Sequence, residues 1–254
     1  MLTHAILLLI ILLLLCWGSF LNVVAHRLIT NESIITPRSH CPHCKTTLAW
    51  YDLIPLISWL ALRGRCRYCK ESISPLYPII ELLTVLVGLL LFIQVPAVYA
   101  CAYFIFFSAL IVSIRTDLEH MLLSQYMNIY LIPLNIFFCA MHMLPITPYE
   151  SIVGALCGYS FLYLLSYIFR ILTGKECIGD GDRDLLAYIG SCIGIIGCWL
   201  SLTIGSLLGT FIGITYLLWT GQTQGTRIPF GPFLAAGAII YALFQDQIIS
   251  YFLL

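Results

Sequence analysis

The sequence predicts an all-α polytopic membrane protein with about eight transmembrane helices and a small cytoplasmic zinc-binding module between the first and second. Of its 254 residues, 61% are hydrophobic and only 9% are charged, whereas soluble domains carry roughly 25% charged residues. Long uncharged stretches recur along the chain, and four paired cysteines lie in its longest polar segment. The net charge of 0 says nothing about nucleic acid, but the chain has no basic run that suggests such a partner, and we expect none.

The membrane spans follow from the lengths of the uncharged stretches, since about 20 apolar residues cross a bilayer. The first, 5–25, has no Lys or Arg ahead of it and more spans behind it, so we expect a retained helix rather than a cleaved signal peptide. The stretch 185–219 would be about 52 Å long as one helix, so we predict two spans divided near Ser201. The other predicted spans are 79–95, 98–114, 127–144, 151–169 and 231–252.

The basic residues predict the orientation of these spans. With eight spans and the N-terminus outside, all twelve Lys and Arg residues fall on one side, which the positive-inside bias makes cytoplasmic. A seven-span arrangement would instead place Arg227 outside. We therefore divide the chain into a first transmembrane helix (1–25), a cytoplasmic module (26–78) and a transmembrane body (79–254).

Two Cys-x-x-Cys pairs, Cys41-Pro42-His43-Cys44 and Cys66-Arg67-Tyr68-Cys69, mark the polar module. Each pair places two thiolates on one tight turn, and two such turns complete the tetrahedral sulfur site that zinc favours. In a reducing compartment structural disulfides are rare, so zinc is favoured over two disulfides. We expect zinc to supply folding free energy that so small a module lacks.

Two acidic segments form the second signal. Asp117 follows the third span and Asp182 precedes the sixth, both at the predicted cytoplasmic boundary. Ionisable groups there tend to face a cavity, and two carboxylates in one wet site divide into an acid and a base, as in aspartic proteases. Gly179 and Gly181 would let an extended substrate backbone approach. From the residues alone, Asp182 or Asp184 as a helix cap and Asp117 as an interfacial ion-pair partner of Arg115 remain open interpretations.

Several blocks between residue 18 and about residue 190 resemble the type IV prepilin peptidases, and they occur in that family's order. They include the opening Gly18-Ser19-Phe20-Leu21-Asn22 and the two cysteine pairs at this spacing. The segments around Asp117 and Gly179-Asp180-Gly181-Asp182 resemble the family's two catalytic stretches. The remaining blocks are 54–67 and 73–83.

The resemblance implies an intramembrane aspartyl peptidase of the Gly-x-Gly-Asp type in the bacterial inner membrane. It implies that Asp117 and Asp182 are the catalytic pair and that the enzyme cuts the short basic leader from type IV prepilins and type II secretion pseudopilins, whose apolar stems lie in the bilayer. It also implies N-methylation of the new N-terminus with S-adenosylmethionine, although the sequence has no glycine-rich nucleotide loop that would place the methyl donor. The zinc ligands implied are Cys41, Cys44, Cys66 and Cys69.

The chain departs from the family pattern at two places. Asp184 stands where the family usually has lysine, so we expect Asp180, Asp182 and Asp184 to form an acidic cluster without its counter-charge. Ser124-Gln125 replaces a Pro-Asp pair. A second registration would make Asp180 the catalytic group.

Two other classes of function remain open from the sequence. One is an inactive relative that binds prepilins or secretion components without cutting them. The other is a small-solute transporter, although no internal repeat is evident and the ionisable groups cluster at the boundary rather than at the midplane. The sequence names neither the prepilin nor the oligomeric state.

Overall fold

The computed structural model describes residues 2–174, 179–221 and 228–252, and their regular structure is helical. By its internal contacts the chain divides into two compact units, 1–90 and 91–254. Within these described residues, six helices are long and apolar enough to cross a membrane, and Met127–Ala140 adds a shorter apolar one. The predicted all-α membrane architecture is confirmed.

The first unit contains α1 (Leu2–Thr30), a short 3-10 turn, α2 (Ile57–Ala61) and most of α3 (Leu76–Gln94). The backbones of α1 and α3 approach closely, since a Cβ on Gly18 would lie 2.9 Å from the Cα of Glu81. The buried amide of Asn22 donates to the carbonyl of Tyr77 at 3.1 Å, and the Glu81 carboxylate accepts the N–H of Leu56 at 2.8 Å. Glu81 thus ties the polar loop to α3.

The polar segment that follows α1 is held in place by hydrogen bonds from one buried arginine, Arg27. Arg27 is 6% exposed and donates to the carbonyls of Ser33 (2.8 Å) and Ile34 (2.7 Å), and also to that of Pro37. Because a guanidinium offers five donors in a fixed geometry, one side chain fixes a whole loop. The helix also runs five residues beyond the predicted end of the first span.

The second unit consists of α4 (Ala97–His120), α5 (Gln125–Ala140), α6 (Pro148–Thr173), α7 (Asp180–Thr220) and α8 (Gly231–Phe252). Helix α4 continues well past residue 114, where we predicted its span to end. Asp117 therefore lies in the last turns of a helix and not in the loop that follows.

Helix α7 consists of two arms that meet at Gly194. This residue has φ +70° and ψ −176°, which is not helical. The Sγ atom of Cys198 lies 3.9 Å from the carbonyl oxygen of Leu186, although twelve residues of continuous helix would separate them by about 18 Å. The chain therefore reverses here. The predicted division into two spans is correct, but its position near Ser201 is wrong, because the turn requires the positive φ that glycine adopts freely.

The reversal places the loops of the second unit at two ends. A Cβ on Gly194 would lie 3.6 Å from Ile146, in the loop between α5 and α6. The end of α4 and the starts of α5, α7 and α8 form the opposite end. Arg115, Arg170 and Arg183 all belong to that opposite end, as the charge pattern predicts, while Arg227 lies outside the described residues.

Helix α6 and the first arm of α7 touch backbone to backbone. A Cβ on Gly190 would lie 2.2 Å from the carbonyl oxygen of Gly154, and a Cβ on Gly154 would lie 2.2 Å from that of Gly190. Small residues commonly permit such close packing in membranes, where dispersion contacts replace the hydrophobic effect.

Replacing Gly190 with alanine should therefore destabilise the second unit. One methyl group must push two backbones apart, at a cost of about 1–3 kcal/mol. We expect a lower thermal aggregation temperature in detergent. Gly213→Ala is the matched control, since among the described residues its Cβ would meet only the tip of Ile228, at 3.2 Å. Equal stability of the two variants would contradict the tight α6–α7 contact.

Candidate active site and metal centre

Asp117 is a buried residue near the end of α4, and its carboxylate meets the first residue of α8. Its Oδ2 atom accepts the backbone N–H of Gly231 at 2.9 Å, and its side chain is only 5% exposed. The first N–H groups of a helix have no partner within the helix and carry partial positive charge. The site thus offers Asp117 a fixed donor. Neighbouring Arg115 forms an ion pair with Glu119, one turn further on.

Asp182 is the third residue of α7, after the N-cap residue Gly179. Its carboxylate accepts a hydrogen bond from the N–H of Gly179, and its charge interacts with that of Asp117. The first contact is the helix-cap role that the sequence left open. The second brings together two carboxylates that are 65 residues apart in the chain. Asp182 thus interacts with both the start of α7 and Asp117, and its catalytic role stays a prediction.

Leu123 fills the space between the starts of α7 and α8. A Cβ on Gly181 would lie 2.7 Å from the Cβ of Leu123, and a Cβ on Gly231 would lie 3.3 Å from its Cδ1. Gly181 thus packs against the protein itself, while Gly179 lies beside the Asp182 carboxylate. Whether either glycine also meets a substrate stays a prediction.

Gly231 is a site residue that the sequence reasoning missed. A Cβ there would lie 2.7 Å from Oδ2 of Asp117. The available signal was Gly231-Pro232 at the start of the last span, because proline is favoured in the first turn of a helix. That signal predicts a helix start, but it does not indicate which side chain the start meets.

The three aspartates at the start of α7 do not form the expected acidic cluster. Asp180 is exposed and forms an ion pair with Arg183, whose guanidinium also lies 5.6 Å from the centre of the Tyr163 ring. Asp184 is buried and lines a cavity. The expectation of a missing counter-charge was wrong for Asp180, because Arg183, three residues further along the helix, lies on the same side.

The four cysteines of the first unit converge on one point. The Sγ atoms of Cys41 and Cys69 are 3.8 Å apart. A tetrahedron of sulfurs around zinc has edges of about 3.8 Å from bonds of about 2.3 Å, whereas a disulfide bond is about 2.05 Å. Hydrogen bonds from Thr46 lower the pKa of Cys44 to about 6, which favours the thiolate form. Four sulfur ligands thus lie within 4.8 Å of one another: Cys41, Cys44, Cys66 and Cys69.

The two cysteine turns repeat one backbone conformation. The N–H of Cys41 bonds to the carbonyl five residues later at 3.0 Å, and that of Cys66 does the same at 2.8 Å. Lys45 and Lys70, each directly after the second cysteine of its pair, both have positive φ, 57° and 63°. Such paired turns present their thiols toward a shared centre, and the cluster fits a tetrahedral metal.

Comparisons with known proteins agree over most of the chain. Residues 12–95 match the family described as bacterial peptidase A24 N-terminal domain, and residues 104–214 match the type IV leader peptidase family. The prepilin leader peptidase/N-methyltransferase of Aeromonas hydrophila is 34% identical, covering 93% of this chain and 90% of its own. That of Pseudomonas aeruginosa is 33% identical, with 93% and 89% covered.

The type 4 prepilin-like proteins leader peptide-processing enzyme of an enterotoxigenic Escherichia coli is 36% identical, covering 87% of this chain and 88% of its own. No solved structure matches the chain.

Proposed function

The chain belongs to the type IV leader peptidase family, and we propose that it cuts the leader from type IV prepilins and type II secretion pseudopilins and methylates the new N-terminus. The curated relatives combine these two activities in their names. The observation that supports the proposal is that the segments carrying the two aspartates come together: Gly231 donates to Asp117, and Leu123 lies against both Gly231 and Gly181, the neighbour of Asp182.

In the proposed reaction, Asp117 and Asp182 share one proton. The ionised carboxylate takes a proton from water, and the water oxygen attacks the carbonyl carbon of the scissile bond. The protonated carboxylic acid donates to the carbonyl oxygen. The C–N bond then breaks with proton transfer to nitrogen, giving a leader carboxylate and a free amine on the pilin. The fixed N–H of Gly231 holds the Asp117 carboxylate in place throughout.

We assign Gly179 and Gly181 to the substrate side of this pair. Gly179 lies at the exposed start of α7, directly before the segment that carries Asp182. An extended substrate backbone can approach a glycine more closely than any other residue. The proposed domain division is the first transmembrane helix (1–25), the module (26–78) and the peptidase domain (79–254).

We assign zinc to Cys41, Cys44, Cys66 and Cys69, as a structural ion of the polar module. All-cysteine tetrahedral sites are typical of structural zinc, and a closed sulfur shell leaves no open position for catalysis. The support is the sulfur geometry, in which all four ligand atoms lie within 4.8 Å of one another.

Replacing Cys66 with serine should release this metal. Cys66 is 2% exposed, and an unliganded module loses the folding free energy of metal binding. We expect elemental analysis of the purified protein to find stoichiometric zinc in the wild type and little in the variant. Limited proteolysis should then cut between α1 and α3 in the variant.

Cys101→Ser, an exposed cysteine outside the cluster, is the control and should keep its zinc. Full zinc occupancy in Cys66→Ser would refute the assignment. If cleavage activity vanishes in correctly inserted Cys66→Ser protein, the metal supports peptidase activity as well as the local fold of the module.

The methyl donor proposed is S-adenosylmethionine, which supplies an electrophilic methyl group when bound. The word N-methyltransferase in the names of the relatives supports it. We assign no residue to its site.

We place the protein in the bacterial inner membrane, with Asp117 and the cysteine module on the cytoplasmic side. The support is the charge asymmetry. Arg115, Arg170 and Arg183 lie at the end of the second unit that holds the aspartate pair, and basic residues favour the cytoplasmic side. A leader with a basic end would meet the pair there, while its apolar stem stays in the bilayer.

The direct test is to mix membranes containing the protein with a prepilin and to follow the pilin by gel mobility and mass spectrometry. We expect loss of the leader and a further gain of one methyl group that depends on S-adenosylmethionine. Binding without cleavage, across several prepilins and pH values, would favour the inactive relative. The family membership does not favour a transporter.

A further inference from the structure

An elongated apolar groove runs along α7 between α5 and α6. Its cavity volume is about 440 Å³. The α5 wall is a stripe of three isoleucines, and Leu156 and Tyr159 belong to the α6 wall. The isoleucines lie at helical spacing on one face of α5: Ile129, Ile132 and Ile136. The groove could hold an apolar segment of a chain or a lipid.

One carboxylate lies in this apolar groove. Asp184 lines it and is only 8% exposed. Among the described residues no hydrogen-bond donor contacts its carboxylate, and the neighbouring Arg183 is paired with Asp180. A buried carboxylate without donors is costly, and in membrane proteins such groups commonly mark a binding function.

A second polar group lies at the same height. Asn135 of α5 donates to Ser191 of α7 at 2.8 Å, and the two helices run in the same direction. Asn128 and Asp184 each lie seven residues, or two helical turns, before this contact on their own helix. The two residues are therefore at the same level along the paired helices. Asn128 is fully buried, and neither its amide nitrogen nor its amide oxygen has a partner within the described part of the chain. Asn128 is not among the residues that line the groove, so the charged group within reach of a ligand there is the Asp184 carboxylate.

The groove lies on a different face of α7 from the aspartate pair. Asp182 and Asp184 are two residues apart, which is about 200° around a helix. The charge of Asp182 interacts with Asp117, whereas within the described part of the chain that of Asp184 interacts with Arg183 alone. A ligand bound at Asp184 would thus leave the pair free.

We propose that this groove binds the new N-terminus of the cut pilin, with its ammonium group at Asp184 and its first apolar residues along the isoleucines of α5. The inference rests on the proposed function, because only hydrolysis creates a cation attached directly to an apolar chain. The uncut substrate has a neutral amide at that position.

The product amine fits better than the basic side chains of the leader. The apolar wall begins beside the carboxylate, since Ile129 and Ala187 lie within about one turn of it. A cation bound here must therefore continue at once into an apolar chain. The basic residues of a leader are separated from that chain by the cleavage site, and they depart with the leader.

The test measures binding of two synthetic peptides to the purified full-length protein in nanodiscs. Both carry the first residues of a mature pilin, one with a free amino terminus and one acetylated. We expect the wild type to bind the free amine about tenfold more tightly, as for a charge-assisted hydrogen bond. Asp184→Asn should bind both peptides equally, and Asp184→Lys should prefer the acetylated one. Asp246→Asn, an exposed carboxylate on α8, should retain the wild-type preference.

Persistence of the tenfold preference in Asp184→Asn, or its absence in the wild type, would overturn the proposal. A leader peptide with its basic residues replaced by glutamine provides a further arm. If Asp184→Asn abolishes discrimination between basic and neutral leaders instead, the groove belongs to the leader and the product site is refuted. Prepilin cleavage by the wild type is scored separately. Failure to cleave rejects the proposed function, whereas the peptide measurement does not depend on cleavage.

Discussion

Asp117→Asn and Asp182→Asn should each reduce prepilin cleavage by about 10³-fold or more. Asparagine preserves the size of the side chain and keeps one oxygen that can accept the N–H of Gly231 or Gly179. It removes the ability to exchange a proton with water or with the scissile amide. The remaining aspartate cannot act as acid and base at once in one step. The measurement is the initial rate of leader loss in membranes with matched protein amounts.

Two further variants make this result specific. Asp246→Asn removes an exposed carboxylate and should cleave normally. Asp180→Asn tests the alternative registration of the Gly-x-Gly-Asp segment, and we expect it to keep most activity because Asp180 is 70% exposed and paired with Arg183. If Asp180→Asn were inactive and Asp182→Asn active, our assignment of the pair would be wrong.

The cysteine module and the membrane spans could be predicted because their signals are local. A thiol pair three residues apart already defines a metal-binding turn, and a span is defined by uncharged length. The Gly194 turn was misplaced because the uncharged run contains several glycines. Composition does not indicate which of them has positive φ.

The active site was less predictable, because its residues meet only in the folded chain. The positions of Asp117 and Asp182 in the sequence offered their pairing only as one open interpretation, and the family resemblance favoured it. The separate environment of Asp184 depends on where α7 begins, since a shift of one residue rotates the face by about 100°. Sequence reasoning therefore grouped Asp184 with Asp182, although the two side chains lie on different sides of one helix.

The second large effect on cleavage is expected at Gly231, because the space between this residue and the Asp117 carboxylate is too small for a side chain. A Cβ at this position would lie 2.7 Å from Oδ2 of Asp117 and 3.3 Å from Leu123. The backbone N–H that donates to Asp117 would survive in alanine, so the added methyl group acts by displacing the carboxylate. Misplacement of a reacting group by about 1 Å can cost about 10²-fold in rate.

We therefore expect Gly231→Ala to insert normally, to bind prepilin and to cleave it about 10²-fold more slowly. Gly213→Ala makes the same chemical change on the second arm of α7, where the added methyl group meets the flexible side chain of Ile228 and not the Asp117 carboxylate, and it should cleave at the wild-type rate. Inhibition by uncleavable prepilin separates loss of binding from loss of turnover. An unchanged cleavage rate in Gly231→Ala would mean that the Asp117 carboxylate does not catalyse cleavage from its position beside Gly231. A slow rate with intact binding would identify the N-terminus of α8 as the part of the fold that holds the reacting carboxylate in place.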